Sequence, residues 1–259
     1  MIKINELVFG YKKKNVINGI SFTLERGELC SLIGTNGSGK TTLIRLIDRS
    51  LTPRGGSVTV DSILAADHSA KEYARKISRL PQSRGVPSVS VADLIAGGRY
   101  PYLGFSGKLT ENDIQKLNAA IELTDTAHLL SRDMRELSGG ERQRVYFAML
   151  LAQDTPYVLL DEPATFLDVA AQIELYSLIK KLKDMGKGIL SVSHDLSFAL
   201  KYSDKILLLE NGKAAFYGTP SDPELLASIE KVFGVRCLEQ VVDGEKEYFF
   251  KEELNPHDR

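Results

Sequence analysis

Residues 34–41 read Gly34-Thr35-Asn36-Gly37-Ser38-Gly39-Lys40-Thr41, a full G-x-x-x-x-G-K-[ST] pattern. Apolar Leu29–Ile33 runs ahead of it, and behind it Leu43, Leu46 and Ile47 recur on one helical face. Such a chain places a strand, a tight glycine turn and a helix in succession. The glycines let the backbone aim successive N–H groups at anionic oxygens, and the helix N-terminus adds favourable partial charge. The spacing therefore predicts a phosphate cradle reaching to Thr42. Lys40 would bridge the β- and γ-phosphates as a point charge, and Thr41 would offer a hydroxyl to Mg2+. An ordinary glycine-rich turn is the plainer alternative, and the strand–loop–helix context disfavours it.

Phosphate chemistry of this kind needs a second acidic residue at the end of another core strand, and Tyr157-Val158-Leu159-Leu160-Asp161 supplies one. Asp161 fits the holding of Mg2+, directly or through water. Glu162 follows at once and is placed to orient or deprotonate an attacking water. A surface Asp-Glu pair after a buried strand is the commonplace alternative. Further strands are expected at Gly188–Val192 and Lys205–Leu209, which makes a mostly parallel sheet covered by helices. Ile173, Tyr176 and Ile179 are expected to share one helix face, and Phe198–Tyr202 to begin another helix.

From about Ser83 to Gln153 the pattern turns mainly helical, punctuated by Gly97-Gly98, Tyr100-Pro101 and Gly104–Gly107. Val145, Ala148, Met149 and Ala152 fall at i, i+3, i+4 and i+7 on one face. Ahead of that face stands Leu137-Ser138-Gly139-Gly140-Glu141-Arg142-Gln143-Arg144. Ser138 and Glu141 have the spacing of a capping box. The paired glycines are not needed for capping, and they leave the helix N-terminus bare enough for an anion to approach.

Composition bounds the rest. At 259 residues the chain has room for roughly one and a half to two domains. Its 33 basic and 34 acidic residues argue against a polybasic nucleic-acid binder. Cys30 and Cys237 match no disulfide framework or metal spacing, which favours a reducing compartment. The start, Met1-Ile2-Lys3-Ile4-Asn5-Glu6, does not read as a secretory signal. The longest apolar stretch, Val145–Ala152, falls short of the roughly 20 residues a spanning helix needs. His68, His128 and His257 are scattered and expected at the surface.

Leu-Ser-Gly-Gly-Glu at 137–141, with Gln143 following, resembles the signature motif of the ATP-binding-cassette (ABC) ATPases. Other elements of that family occur in order over about residues 1–225. Tyr11 resembles the aromatic that stacks on adenine, and Gln82, after Pro81, the loop glutamine that contacts Mg2+ and the attacking water. Asp168, in Ala164-Thr165-Phe166-Leu167-Asp168, resembles the loop aspartate that communicates across a dimer. His194, in Ser193-His194-Asp195, resembles the switch histidine at the γ-phosphate. Taken singly, Tyr11 could be a strand-end aromatic, Gln82 a loop residue, Asp168 a helix N-cap and His194 a turn histidine. Met149 and Ala164 depart from the residues many relatives carry there, and touch none of the assigned chemistry.

The resemblance implies a P-loop NTPase (RecA-like) α/β core, an N-terminal antiparallel β element and an inserted helical subdomain. The nucleotide-binding core is expected at 1–82 and 154–225, the helical subdomain at 83–153 and a C-terminal tail at 226–259. The tail's charged end, Lys251–Arg259, is expected at the surface and partly mobile. ATP and Mg2+ are the implied cofactors. With one set of motifs, the chain is expected to form a homodimer in which Ser138, Gly139, Gly140 and Glu141 act in trans on the partner's nucleotide. Val91–Ile95 and Gly98–Tyr102, with Ile121–Leu129, resemble the importers of iron–siderophore, haem and cobalamin. In that group the ATPase sits on the cytoplasmic face of the cell membrane beneath a permease dimer, fed by an external substrate-binding protein. Importers of zinc, manganese or molybdate, and a soluble ATPase of iron–sulfur assembly, remain as alternatives. No nucleic-acid partner is expected, since the long heptad array of DNA-repair relatives is missing.

Overall fold

The computed structural model describes residues 1–12, 14–82, 85–104, 107–165 and 167–252. Phe166 and the chain end at 253–259, where mobility is expected, lie outside the described residues. Strands β1 (Ile2–Tyr11) and β2 (Lys14–Leu24) form an antiparallel hairpin, then β3 (Leu29–Gly34) leads into helix α1 (Lys40–Ile47). Strands β4 (Gly55–Val60) and β5 (Ile63–Leu64) precede a short α2 (Ala70–Ala74) and β6 (Ile77–Leu80). Helices α3 (Val91–Gly97), α4 (Glu111–Leu123) and α5 (Gly139–Gln153) come next. Alternation resumes with β7 (Tyr157–Asp161), α6 (Val169–Asp184), β8 (Gly188–Val192), α7 (Leu196–Tyr202) and β9 (Lys205–Glu210). The described chain ends with β10 (Lys213–Gly218), α8 (Pro223–Phe233) and a hairpin of β11 (Val235–Val242) and β12 (Glu245–Glu252).

Two sheets carry the core. The larger has the order β10-β9-β3-β8-β7-β6, parallel throughout except for β10 at its edge. Every residue of β3, β7 and β8 is buried, which is why these strands read as unbroken apolar runs rather than alternating ones. The smaller sheet, β2-β1-β4-β5, is antiparallel and shares a core with α1 and one face of the larger sheet. Against the other face pack α3, α5 and α6. Cβ at Gly98 would stand 2.3 Å from the Met149 carbonyl, so α3 and α5 approach as closely as glycine permits.

The helical region is tied together by a buried ion pair. Arg99 Nε donates to Asp113 Oδ1 at 2.9 Å and Nη1 to the Ala152 carbonyl at 2.8 Å, while the guanidinium stacks 3.8 Å over the Tyr102 ring. Asp113 also completes the capping box of α4 with Thr110. Those contacts join the ends of α3, α4 and α5.

Three expectations need amending. The stripe Ile173-Tyr176-Ile179 does share a side of α6, but it runs from solvent into the core: Ile173 is 61% exposed and Ile179 is 0%. The stripe that packs is Leu175, Ile179 and Leu182, one position round the helix from the expected one. His68 is buried, not superficial; the turn at Ala65–Asp67 folds it in beside Tyr73, and its carbonyl accepts from Arg49. The segment expected as a tail carries most of α8 and a hairpin, with Ile229 and Tyr248 in a core shared with Leu225 and α7. Of its charged end, Lys251 and Glu252 are exposed as expected.

Candidate active site

Register brings the sequence motifs to one edge. Leu32 and Asp161 both pair with Val192, and Leu80 pairs with Leu160. The residues after β3, β6, β7 and β8 therefore emerge together at the carboxyl edge of the sheet. These are the glycine loop, Gln82, Glu162 and His194. Open α/β sheets place their ligand crevices at that edge.

The loop 34–39 is shaped to receive an anion. Gly34, Gly37 and Gly39 have φ of 149°, 79° and 109°, conformations an L side chain resists. No side chain caps α1, and its first turn holds no acidic residue, so its leading N–H groups point into the loop without a competing anion. Lys40 Nζ closes the loop on itself, donating to the Gly34 and Thr35 carbonyls at 2.7 and 3.0 Å. Burial pushes its pKa down, against the opposing pull of Glu162 and Asp161. The buried Ser38 hydroxyl has no partner among the described residues. Thr35, Asn36 and Gly37 are exposed, and Thr42 is half-buried in the first turn of α1.

Across the loop, Thr41 Oγ1 donates to Asp161 Oδ1 at 3.2 Å. A hydroxyl and a buried carboxylate converging at the end of a phosphate loop are the hard oxygen donors that Mg2+ takes, so the residues present fit that ion. Burial raises the Asp161 pKa, and Arg79 and Thr41 oppose the rise. Glu162 stands in the left-handed region at φ 53°, which turns its side chain off the strand. Gln82 Nε2 donates to Glu162 Oε2 at 2.6 Å, and His194 Nε2 lies 2.7 Å from Glu162 Oε1. Thr165 Oγ1 adds a contact at 3.3 Å. The carboxylate is thus oriented from two sides, while its neighbour Asp161 faces the loop.

Other residues stand apart. Tyr11 ends β1 half exposed, edge-on to Phe9 at 5.0 Å. Its hairpin abuts the loop, since Cβ at Gly39 would meet Ile17 and Val16. Ser138 caps α5 in the expected box: its amide donates to Glu141 Oε2 at 2.8 Å and its Oγ accepts from the Glu141 amide at 3.3 Å. Beyond their own chain neighbours and helix backbone, no described residue lies within 4 Å of where Cβ atoms on Gly139 and Gly140 would stand. Asp168 caps α6 through the Ala171 amide at 2.8 Å. Ser138, Gly140, Glu141 and Asp168 line a groove of about 590 Å3 that includes no residue of 34–42.

The ABC transporter family pattern matches residues 17–165, more than half of the chain. The chain belongs to the ABC transporter family. As members of that family do, this cassette binds ATP and is an ATPase. It is 36% identical over 235 residues to the ferric enterobactin transport ATP-binding protein FepC of Escherichia coli (strain K12), which spans 90% of this chain and 87% of that protein. It is 39% identical over 238 residues to the achromobactin transport ATP-binding protein CbrD of Dickeya dadantii (strain 3937), covering 91% and 88%. Among solved structures, an inward-facing ABC transporter assigned to the metal-chelate type superposes with a TM-score of 0.83 at 25% identity, covering 96% of each chain. Among the described residues, no helix of the cassette is long and apolar enough to cross a membrane.

Two side chains that sequence reading passed over belong to the site. Arg79, on β6, reaches Asp161 Oδ2 at 3.2 Å. Tyr176, on α6, donates to Asp195 Oδ2 at 3.1 Å and stacks on Phe198 at 3.8 Å, bracing the turn that carries His194. Arg79 lies three residues before Gln82 but carries no motif, and Tyr176 reads as an ordinary helix-face aromatic; only pairing reveals their place in the site.

Proposed function

We propose that this cassette is the ATP-hydrolysing subunit of an importer for iron–siderophore or a related metal chelate such as haem or cobalamin. The observation that carries the proposal is likeness along nine-tenths of the chain to transport ATP-binding proteins for ferric enterobactin and achromobactin. The nucleotide-binding core comprises 1–82 and 154–225, with residues 83–153 as an inserted helical subdomain. ATP lies along Gly34–Thr42 with its adenine against Tyr11, and Lys40 leaves its loop carbonyls for the β- and γ-phosphates. Thr41, Asp161 and Gln82 hold Mg2+, which neutralises charge on the phosphate oxygens when bound. Glu162 takes the proton of the attacking water, and Gln82 and His194 hold that carboxylate in line.

Two copies pair about a two-fold axis, so that Ser138, Gly139 and Gly140 of each close over the nucleotide of the other, with Glu141 as the cap behind them. Asp168 carries the state of one site to its partner. The dimer sits on the cytoplasmic face of the membrane under a permease dimer, and meets the external binding protein only through that permease. Deleting the gene tests the proposal. Uptake of radiolabelled ferric chelates should stop while iron–sulfur enzyme activities hold in chelate-free, iron-replete medium. Loss of zinc, manganese or molybdate uptake instead would reassign the cargo, and loss of iron–sulfur enzymes with uptake intact would place the protein in cluster assembly.

A further inference from the structure

Arg79 lies between two carboxylates that belong to different elements. Its Nη1 donates to Asp48 Oδ2 at 2.5 Å and its Nη2 to Asp161 Oδ2 at 3.2 Å. Asp48 closes the C-terminal end of α1, the helix that begins at the phosphate loop. The Asp161 side chain is 0% exposed and that of Arg79 is 15%. Among the described residues, Arg79 is the one cation within ion-pair distance of Asp161. Its Nε is buried with no partner among those residues, so the guanidinium is held chiefly by the two acids it bridges. Asp48, Arg49, Ala70, Tyr73 and Arg79 line a cavity of about 390 Å3, which gives the guanidinium room to move.

A buried carboxylate needs a compensating charge. Asp161 divides its two oxygens, Oδ1 toward Thr41 and Oδ2 toward Arg79. We propose that the Arg79 guanidinium supplies on Asp161 the charge that Mg2+ takes over when nucleotide binds, so that the Asp48–Arg79–Asp161 bridge sets how much Mg2+ nucleotide binding requires. This rests on the reading of Asp161 as the Mg2+ holder. Two cations that share one carboxylate oppose each other, and the opposition is reciprocal: whatever ties Arg79 to Asp161 weakens Mg2+ there. Asp48 is the counterweight that receives the guanidinium as the metal arrives. Arg79 acts through Asp161 and is a positioning residue.

The test is binding of a fluorescent ATP analogue to the full chain, titrated with Mg2+, with no turnover required. R79M should lower the half-saturating Mg2+ concentration about tenfold, within the roughly 5- to 150-fold range of such couplings. R79K should stay near the unsubstituted chain. D48N should act in the opposite direction and raise the Mg2+ requirement, because Arg79 then has Asp161 alone. A merely structural prop would loosen Asp161 in both variants, so a shift of R79M and D48N in the same direction overturns the proposal. An unchanged or raised requirement in R79M also overturns it. If R79M does not fold, D48N decides alone, and an unchanged or lowered requirement there overturns it. Mg2+-independent binding by the unsubstituted chain would instead overturn the reading of Asp161, and this one with it.

Discussion

The different directions of the Asp161 and Glu162 carboxylates follow from one backbone angle. Asp161, the last residue of β7, stays buried, while the positive φ of Glu162 swings the next carboxylate onto Gln82 and His194. Glu162→Gln keeps the shape and removes the carboxylate proposed as the base. Hydrolysis should fall by about 10²- to 10⁴-fold with ATP affinity retained, and wild-type turnover would sink the assignment. Asp113 makes a different residue-scale prediction. Hydrogen bonds from the Thr110 hydroxyl and amide, aided by Arg99, outweigh desolvation and hold its pKa at about 2. A carboxylate depressed on folding contributes stability above its unfolded pKa of about 3.9, and loses it as pH falls toward the folded value. The melting temperature of the unsubstituted chain should therefore exceed that of Asp113→Asn at pH 6, and the gap should shrink steadily by pH 3.

At the scale of elements, α6 and α7 join the two outlying parts of the site. Asp168 caps α6, and Tyr176, two turns on, bonds Asp195, which caps α7 and forms the turn with Ser193 around His194. Tyr176→Phe removes only the hydroxyl. It should lower kcat several-fold with half-saturating ATP unchanged, and cost about 1.5–3 kcal/mol in chemical denaturation for a hydrogen bond to a charged group. Equal loss of ATP binding would show a general loosening instead. Strands β3, β7, β8 and β9 and the glycine loop were legible from sequence because their signals are contiguous: buried parallel strands are unbroken apolar runs, and the loop is one motif. Arg79 and Tyr176 were not, because their roles arise from partners 82 and 19 residues away. The α8 and β11–β12 unit was missed for a related reason. Its hairpin strands are mostly exposed and their apolar residues follow no strict alternation, and Tyr248 finds its core only by packing with α7 and α8. His68 is polar in sequence and buried by a turn, a distinction composition does not carry.

At the scale of the molecule, Ser138, Gly140 and Glu141 line a groove that includes no residue of 34–42, and on the proposed pairing a single cassette is chemically incomplete. On the proposed pairing, a second copy would cover the N-terminus of α5 and the exposed Val169 and Ile173 on α6, beside Asp168. Ser138→Arg adds bulk and charge to that face, so it should abolish hydrolysis while the monomer still binds ATP through Lys40 and its loop. Lys40→Ala should fail for the opposite reason, with an intact signature and no grip on phosphate. Mixing the two separates the arrangements. In a mixed dimer one site inherits both defects and the other neither, so activity should return to about a quarter of the unsubstituted level at equal ratio, half the dimers being mixed and each having one working site. The ATPase rate of the mixture, measured against each variant alone, reads this directly. If Ser138 served the nucleotide of its own chain, every site in the mixture would carry one defect, and no activity would return at any ratio.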